Sequence, residues 1–266
     1  SPSWPSMSRF RRVPSAATTR FLNVPFRILA RGLLDFEVSG TENIPGRGPV
    51  VVAANHFSHL DPPLVVNALG RLVRFIAVDE LFGNHLTFDV VTTFFGAIPT
   101  DRDGVPLRAL EETIVYLRSG GTAGVFPEGR RVKYWRETEP KRGAAWLAWM
   151  SGAPLLPVTI HGTERVLSQA EEGIHRTAVR IWIDEPLVWS TYADHVDPLG
   201  AMTDDWFEAV DAQTVLIGTP LLVLAIGVHT ARRTRRRTTS TGRVGSRSRR
   251  ARVQTCLRQL WPGSIT

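Results

Sequence analysis

The stretch best equipped for chemistry is "NHFSHLD", in which Asp61 follows His56 by five positions. A carboxylate bonded to an imidazole fixes its tautomer and stabilises its protonated form. The second ring nitrogen is then left to take a proton from a hydroxyl. That is the work of a general base. A spacing of five does not put two side chains on one face of a helix. The pair meets only if His56 lies on a loop and the chain folds back at Ser58–His59. The flanks allow this, because "VVVAA" (50–54) reads as a buried strand and Pro62 suits the first turn of a following helix. Asp61 would then do two jobs, capping the helix and accepting the ring N–H of His56. Each residue also has a plainer role, Asp61 as a helix cap alone and His56 as a polar residue at a strand end.

A second candidate stretch is "GVFPEGRR" (124–131), again a strand entering a turn. Glu128 can hydrogen-bond a polyol, Gly129 lets a ligand approach the backbone, and Arg130 and Arg131 can grip an oxyanion. In "GAIPTDRDG" (96–104), Arg102 offers a second phosphate ligand. Each of these would be an ordinary charged turn if it stood alone. The chain has no "GxSxG" turn and no Ser in the setting of a nucleophile. Its one cysteine, Cys256, has no evident His partner and excludes an internal disulfide or a thiolate metal cluster. The proton donor is therefore expected to be an alcohol of the substrate. That implies direct group transfer, with no covalent enzyme intermediate, no metal and no cofactor.

These residues need a scaffold, and the middle of the chain supplies one. "VVVAA" (50–54), "VRFIAV" (73–78), "TAGVF" (122–126), "LLPVTI" (155–160) and "VRIWI" (179–183) read as strands, with "FFGAIPT" (94–100) a weaker one. Helical patterns at 62–70, 106–121 and 143–152 alternate with them. The expected fold is α/β, a single domain with a mostly parallel central sheet flanked by helices. An N-terminal amphipathic helix over 23–36 precedes it, with Arg27 and Arg31 on one face and Phe26, Leu29 and Leu33 on the other. Such a helix suits a membrane interface. The apolar "VLIGTPLLVLAIGV" (215–228) has fourteen residues, short of the ~20 that usually span a bilayer. The expected organisation is a membrane-associating segment at 1–36, the catalytic domain at 37–213, an apolar segment at 214–231 and an unfolded Arg-rich tail at 232–266. No cleavable signal peptide is evident, so export has no support.

Charge is divided unevenly along these segments. Residues 1–31 hold six Arg and no acid, residues 32–231 hold 15 Lys/Arg against 25 Asp/Glu, and residues 232–266 hold 11 Arg and no acid. An acidic globule with basic arms points to an anionic surface, either membrane or nucleic acid. The tail lacks interleaved aromatics, and a polyanion would repel the globule. A nucleic-acid partner is therefore not expected.

In order, "NHFSHLD", "GAIPTDR", "FPEGRR" and "APLLPVTIHGT" resemble the four blocks of the glycerolipid acyltransferase family, over roughly residues 38–185. The resemblance implies His56 as base and Asp61 as its partner. It implies Arg102 and Arg131 as phosphate ligands, and Glu128, Gly129 and Pro157 as members of the third and fourth blocks. Pro157 has the plainer reading of a residue that breaks an edge hydrogen bond. Lys141 in "PKRGAAWLA" falls where relatives carry Lys. Arg130 departs from the usual Ser or Thr, and "VKYWRETEP" (132–140) replaces a short turn. The implied reaction moves an acyl chain from acyl-CoA or acyl carrier protein to the sn-2 hydroxyl of lysophosphatidic acid, giving phosphatidic acid. Glycerol 3-phosphate or another lysophospholipid is the alternative acceptor, and a non-catalytic lipid-binding role is a further alternative. Backbone N–H groups at the start of the Asp61 helix are candidate oxyanion donors. The expected location is the cytoplasmic face of the cell membrane, by peripheral or monotopic attachment.

Overall fold

The computed structural model describes Gly32 and residues 34–78, 98–100, 107–169 and 176–218. Seven strands form one sheet: β1 (Asp35–Ser39), β2 (Val50–Ala54), β3 (Val73–Val78), β4 (Ile98–Thr100), β5 (Thr122–Val125), β6 (Leu155–His161) and β7 (Ala178–Ile183). Their order is β1-β7-β6-β2-β5-β3-β4. Every pairing is parallel except β6 with β7. The helices are α1 (Asp61–Leu69), α2 (Leu107–Arg118), α3 (Gly143–Ser151) and α4 (Pro198–Gly218).

The continuous apolar run of β2 reflects burial on both faces, as a central parallel strand requires. All five residues are fully buried. Alternation sends Val50, Val52 and Ala54 to one core with Leu64, Val65 and Val66 of α1. Val51 and Ala53 enter the other core, with Leu117, Ala148, Met202 and Trp206 from α2, α3 and α4. The result is three layers, helix, sheet and helix. Trp206 also ties α4 to the sheet, its Nε1–H donating to the Ala53 carbonyl at 2.8 Å.

β2 and β5 lie side by side in parallel, with Ala53 opposite Val125. The loops leaving their C-terminal ends, "NHFSHLD" and "FPEGRR", therefore emerge together. An open α/β sheet places its ligand crevice at such a point.

Several expectations change. Asp35 and Phe36, expected at the end of an amphipathic helix, belong to strand β1. Residues 23–31 and Leu33 of that expected helix lie outside the described residues. Residues 214–218 form the last turn of α4, so the apolar segment begins within a domain helix; its remainder and the Arg-rich tail lie outside the described residues. Among the described residues no helix is long and apolar enough to cross a membrane. Pro157 does not sit at a sheet edge, because β6 runs between β2 and β7.

Candidate active site

Chain reversal at Ser58–His59 brings Asp61 back to His56. His56 Nδ1 and Asp61 Oδ2 are 2.9 Å apart. The same carboxylate oxygen accepts the N–H groups of Phe57 and Ser58, each at 2.7 Å. Asp61 is fully buried, and its Oδ1 has no hydrogen-bond partner. Three donors on one oxygen fix the loop and the imidazole together. With Nδ1 committed, Nε2 is the nitrogen left for proton transfer.

Asp61 does not cap α1. Leu60 occupies the cap position and Asp61 is the first helical residue, its side chain turned back toward the loop. The N–H groups at this helix start are also taken. Asp61 donates to the Ser58 carbonyl, Leu64 to the Leu60 carbonyl, and Pro62 and Pro63 have no N–H. Leu60 donates to Ser58 Oγ, and His59 donates to the Leu167 carbonyl. The oxyanion donors expected at the start of α1 are therefore not there.

The second loop holds His56 from the other side. Glu128 Oε1 accepts the His56 N–H at 3.2 Å, and the His56 carbonyl accepts the Val132 N–H at 2.8 Å. Phe126 stacks on the His56 ring at 3.9 Å and 12°, and Phe75 stacks on Phe126 at 4.9 Å. Backbone, ring edge and ring face of His56 are thus all fixed, and its side chain remains 15% exposed.

Glu128 is buried with Oε2 unpartnered. Burial pushes its pKa up to about 8; its own N–H and that of His56 act against this, and the Asp61 charge adds to it. At neutral pH it is mainly a neutral acid able to donate from the unpartnered oxygen. Burial, then the charges of Arg131 and His56, push His59 down to about 4 against the opposing effect of Asp61. His59 therefore stays neutral beside the pair.

Arg131 is half-buried and electrostatically coupled to Asp61 and His59. It makes no hydrogen bond or ion pair among the described residues, and it lies near enough to Asp61 and His59 to act on their charges. Arg130 points away, its Nη2 2.9 Å from Glu137 in an exposed ion pair. Gly129 has φ +70, and a Cβ there would come within 2.8 Å of Lys141 Nζ. The Lys141 side chain thus lies over the turn, and its N–H bonds the Pro127 carbonyl at 2.7 Å. Arg102 lies outside the described residues. Among those described, no three His, Cys, Asp or Glu gather as metal ligands. A cleft of about 550 Å³ lined by Glu139, Arg142, His195 and Asp204 includes none of the catalytic candidates.

A family model described as Acyltransferase matches residues 35–161, which contain both loops. The 1-acyl-sn-glycerol-3-phosphate acyltransferase of Bacillus subtilis is 30% identical over 172 residues, covering 63% of this chain and 82% of that protein. The chain belongs to the glycerolipid acyltransferase family.

The chloroplastic 1-acyl-sn-glycerol-3-phosphate acyltransferase BAT2 of Brassica napus is 29% identical over 158 residues; the chain spans only 45% of that protein's length. The crystal structure of the 1-acyl-sn-glycerophosphate acyltransferase PlsC from Thermotoga maritima superposes with a TM-score of 0.62 at 25% identity. That match covers 74% of this chain and 79% of that one. For an acyltransferase fold of this kind, sequence reading missed three supports of His56 and its loop. Phe126 was visible in the quoted motif, but nothing there signalled its stacking. Asn55 acts as a surrogate peptide: its Nδ2 donates to the Ile160 carbonyl at 2.8 Å, and its Oδ1 accepts the Ile160 N–H at 2.7 Å. It thereby extends the β2–β6 pairing to the residue before His56. Ser58 Oγ donates to the Val166 carbonyl, tethering the loop to the segment after β6.

Proposed function

We propose that this protein transfers an acyl chain from a thioester donor, acyl-CoA or acyl carrier protein, to the sn-2 hydroxyl of lysophosphatidic acid, releasing phosphatidic acid. The observation that carries the reading is the 2.9 Å His56–Asp61 pair, with Glu128 bonded to the His56 N–H and Arg131 close enough to act on Asp61. The names of the relatives agree with it.

His56 Nε2 takes the proton of the acceptor hydroxyl as its oxygen attacks the thioester carbonyl carbon. The C–O bond forms, the tetrahedral oxyanion collapses, and the C–S bond breaks. The departing thiolate takes the proton from the imidazolium, so His56 returns to its starting state. Asp61 stabilises the imidazolium between these steps. Arg131 binds the phosphate, with Arg102 assigned to help it, and neutral Glu128 donates to a glycerol oxygen. Lys141 steadies the Gly129 turn that carries Arg131. Because the acceptor is a lipid, the enzyme is assigned to a membrane surface on the cytoplasmic side, where acyl thioesters are available, by peripheral or monotopic attachment.

The test incubates purified protein and vesicles with labelled acyl-CoA and a panel of acceptors: lysophosphatidic acid, glycerol 3-phosphate and other lysophospholipids. Labelled phosphatidic acid is expected from the first, with a loss of roughly 10²–10⁴-fold in His56→Ala. Equal product from His56→Ala would overturn the mechanism, and a preference for another acceptor would overturn the substrate.

A further inference from the structure

Two hydrogen-bonded routes leave the end of β2 and meet on α4. Ala53 accepts the Trp206 Nε1–H from α4 at 2.8 Å. Three residues on, the His56 carbonyl accepts the Val132 N–H at 2.8 Å, and the Val132 side chain is fully buried. Val132 opens the segment 132–140, which stands in place of a short turn. That segment returns to α4 through Asp211. Trp135 Nε1–H donates to Asp211 Oδ1 at 2.9 Å, and Arg136 reaches both oxygens, Nε to Oδ1 at 2.9 Å and Nη2 to Oδ2 at 2.8 Å. Trp135 also stacks on Phe207 at 5.0 Å and meets Trp206 edge-on at 6.0 Å.

A guanidinium gripping both oxygens of a carboxylate fixes orientation as well as distance. Here the grip holds Arg136 at φ +71, a conformation that residues other than glycine rarely adopt. Backbone of this kind persists only where the surrounding contacts impose it. The span between Val132 and Arg136 is itself braced: Glu137 Oε2 accepts the Lys133 N–H at 2.6 Å, and the Glu137 N–H donates to the Tyr134 carbonyl at 3.3 Å. The contacts therefore close a ring, from β2 to α4, through Asp211 to the segment, and back to β2 at His56. Arg131 immediately precedes the residue at which the ring closes.

We infer that Asp211 is a positioning residue for the acceptor site: by holding residues 132–137 on α4 it sets where Arg131 stands relative to His56. A phosphorylated alcohol presents its anion and its hydroxyl at a limited range of separations. It binds productively only if the two side chains that meet them keep a matching one. The inference rests on the reading of Arg131 as the phosphate ligand. The route runs through the main chain at Val132 and Lys133, not through the exposed Arg130–Glu137 ion pair.

A water-soluble short-chain lysophosphatidic acid is titrated calorimetrically, without acyl donor, into the full chain and into Asp211→Ala, Arg131→Ala and the double variant. Asp211→Ala is expected to weaken binding about tenfold. The double variant should bind no more weakly than Arg131→Ala alone, because Asp211 acts through Arg131. Arg136→Gly suits the positive φ and removes the guanidinium, so it should repeat the loss in a chain whose thermal melt is intact. In turnover assays with labelled acyl-CoA, the loss should appear in the KM for the acceptor and not in that for the donor. Unchanged binding in both clamp variants, or losses that add in the double variant, would overturn the positioning role. If the binding losses couple as expected while no acyl group is transferred, the positioning role stands and the acyltransfer reading falls.

Discussion

Glu128 accepts the main-chain N–H of His56 through Oε1, so the acid leaving one strand positions the histidine leaving its neighbour. The other oxygen of that acid is buried without a partner, and burial raises its pKa from the ordinary 4.5 to about 8. Below pH 4.5 the carboxyl is protonated in both the folded and the unfolded chain. Between 4.5 and 8 the unfolded chain releases the proton and the folded one keeps it, so stability is lost as pH rises through that window. Glu128→Gln removes this titration while keeping the acceptor. Its thermal stability relative to the parent is expected to increase between pH 5 and pH 8.5, by on the order of a few kcal/mol. A constant difference across that range would show that Glu128 ionises normally in the folded state.

Asp61 Oδ2 meets the His56 ring and also accepts two loop amides, and the proposed mechanism needs its charge only for the first. Asp61→Asn retains an oxygen that can accept those amides and loses the charge. It is expected to lower kcat by about 10²–10⁴-fold with little change in unfolding temperature. Asp61→Ala leaves the buried N–H groups of Phe57 and Ser58 unsatisfied. It should add a stability loss of about 1–3 kcal/mol for each. Kinetics and thermal melts on the two variants separate catalysis from scaffolding; equal destabilisation by both would mean that the charge itself holds the loop.

Adjacent arginines are expected to behave unlike each other. Arg130 is spent on Glu137 at the surface, where an exposed ion pair contributes about 0–1 kcal/mol. Arg131 acts on the charge of Asp61 and makes no ion pair among the described residues. Arg131→Ala should raise the KM for the phosphate-bearing acceptor by roughly 10–100-fold, the scale of a lost charge-assisted hydrogen bond, and leave the donor KM alone. Arg130→Ala should change either constant less than about threefold. The reverse pattern would move the phosphate site outward.

The central elements were legible because their signals are local. β2 is an unbroken apolar run, Pro62 and Gly70 mark the two ends of α1, and Gly152 marks the end of α3. β1 escaped because "DFEVS" is an edge strand with no fully buried residue, and the apolar spacing upstream runs into it as though a helix continued. α4 escaped because Met202, Trp206 and Val210, its buried stripe, are separated by acidic and polar residues. That His56 and Asp61 can meet was legible from the strand and helix signals flanking them, since five residues of chain suffice to bring them together. The supports were not, because Asn55 meets Ile160 across 105 residues and Glu128 meets His56 across 72. Such contacts are set by sheet order, which no single stretch of sequence contains.

Gly129 combines two constraints that a pair of substitutions can separate. Its φ of +70 disfavours any side chain, and an added Cβ would press within 2.8 Å of Lys141 Nζ and 3.0 Å of Cε. The first cost belongs to the backbone, about 1–2 kcal/mol for a residue with a Cβ. The second falls on the end of a long side chain, which can swing aside. Gly129→Ala is expected to lower stability by about the backbone amount and to weaken acceptor binding, because the turn that carries Arg131 shifts. Adding Lys141→Ala should relieve the contact but not the φ cost, so the double variant recovers only part of the stability. Thermal melts on the four-membered cycle measure this directly. Full recovery would show that crowding by Lys141, and not the left-handed turn, is what requires glycine at this position.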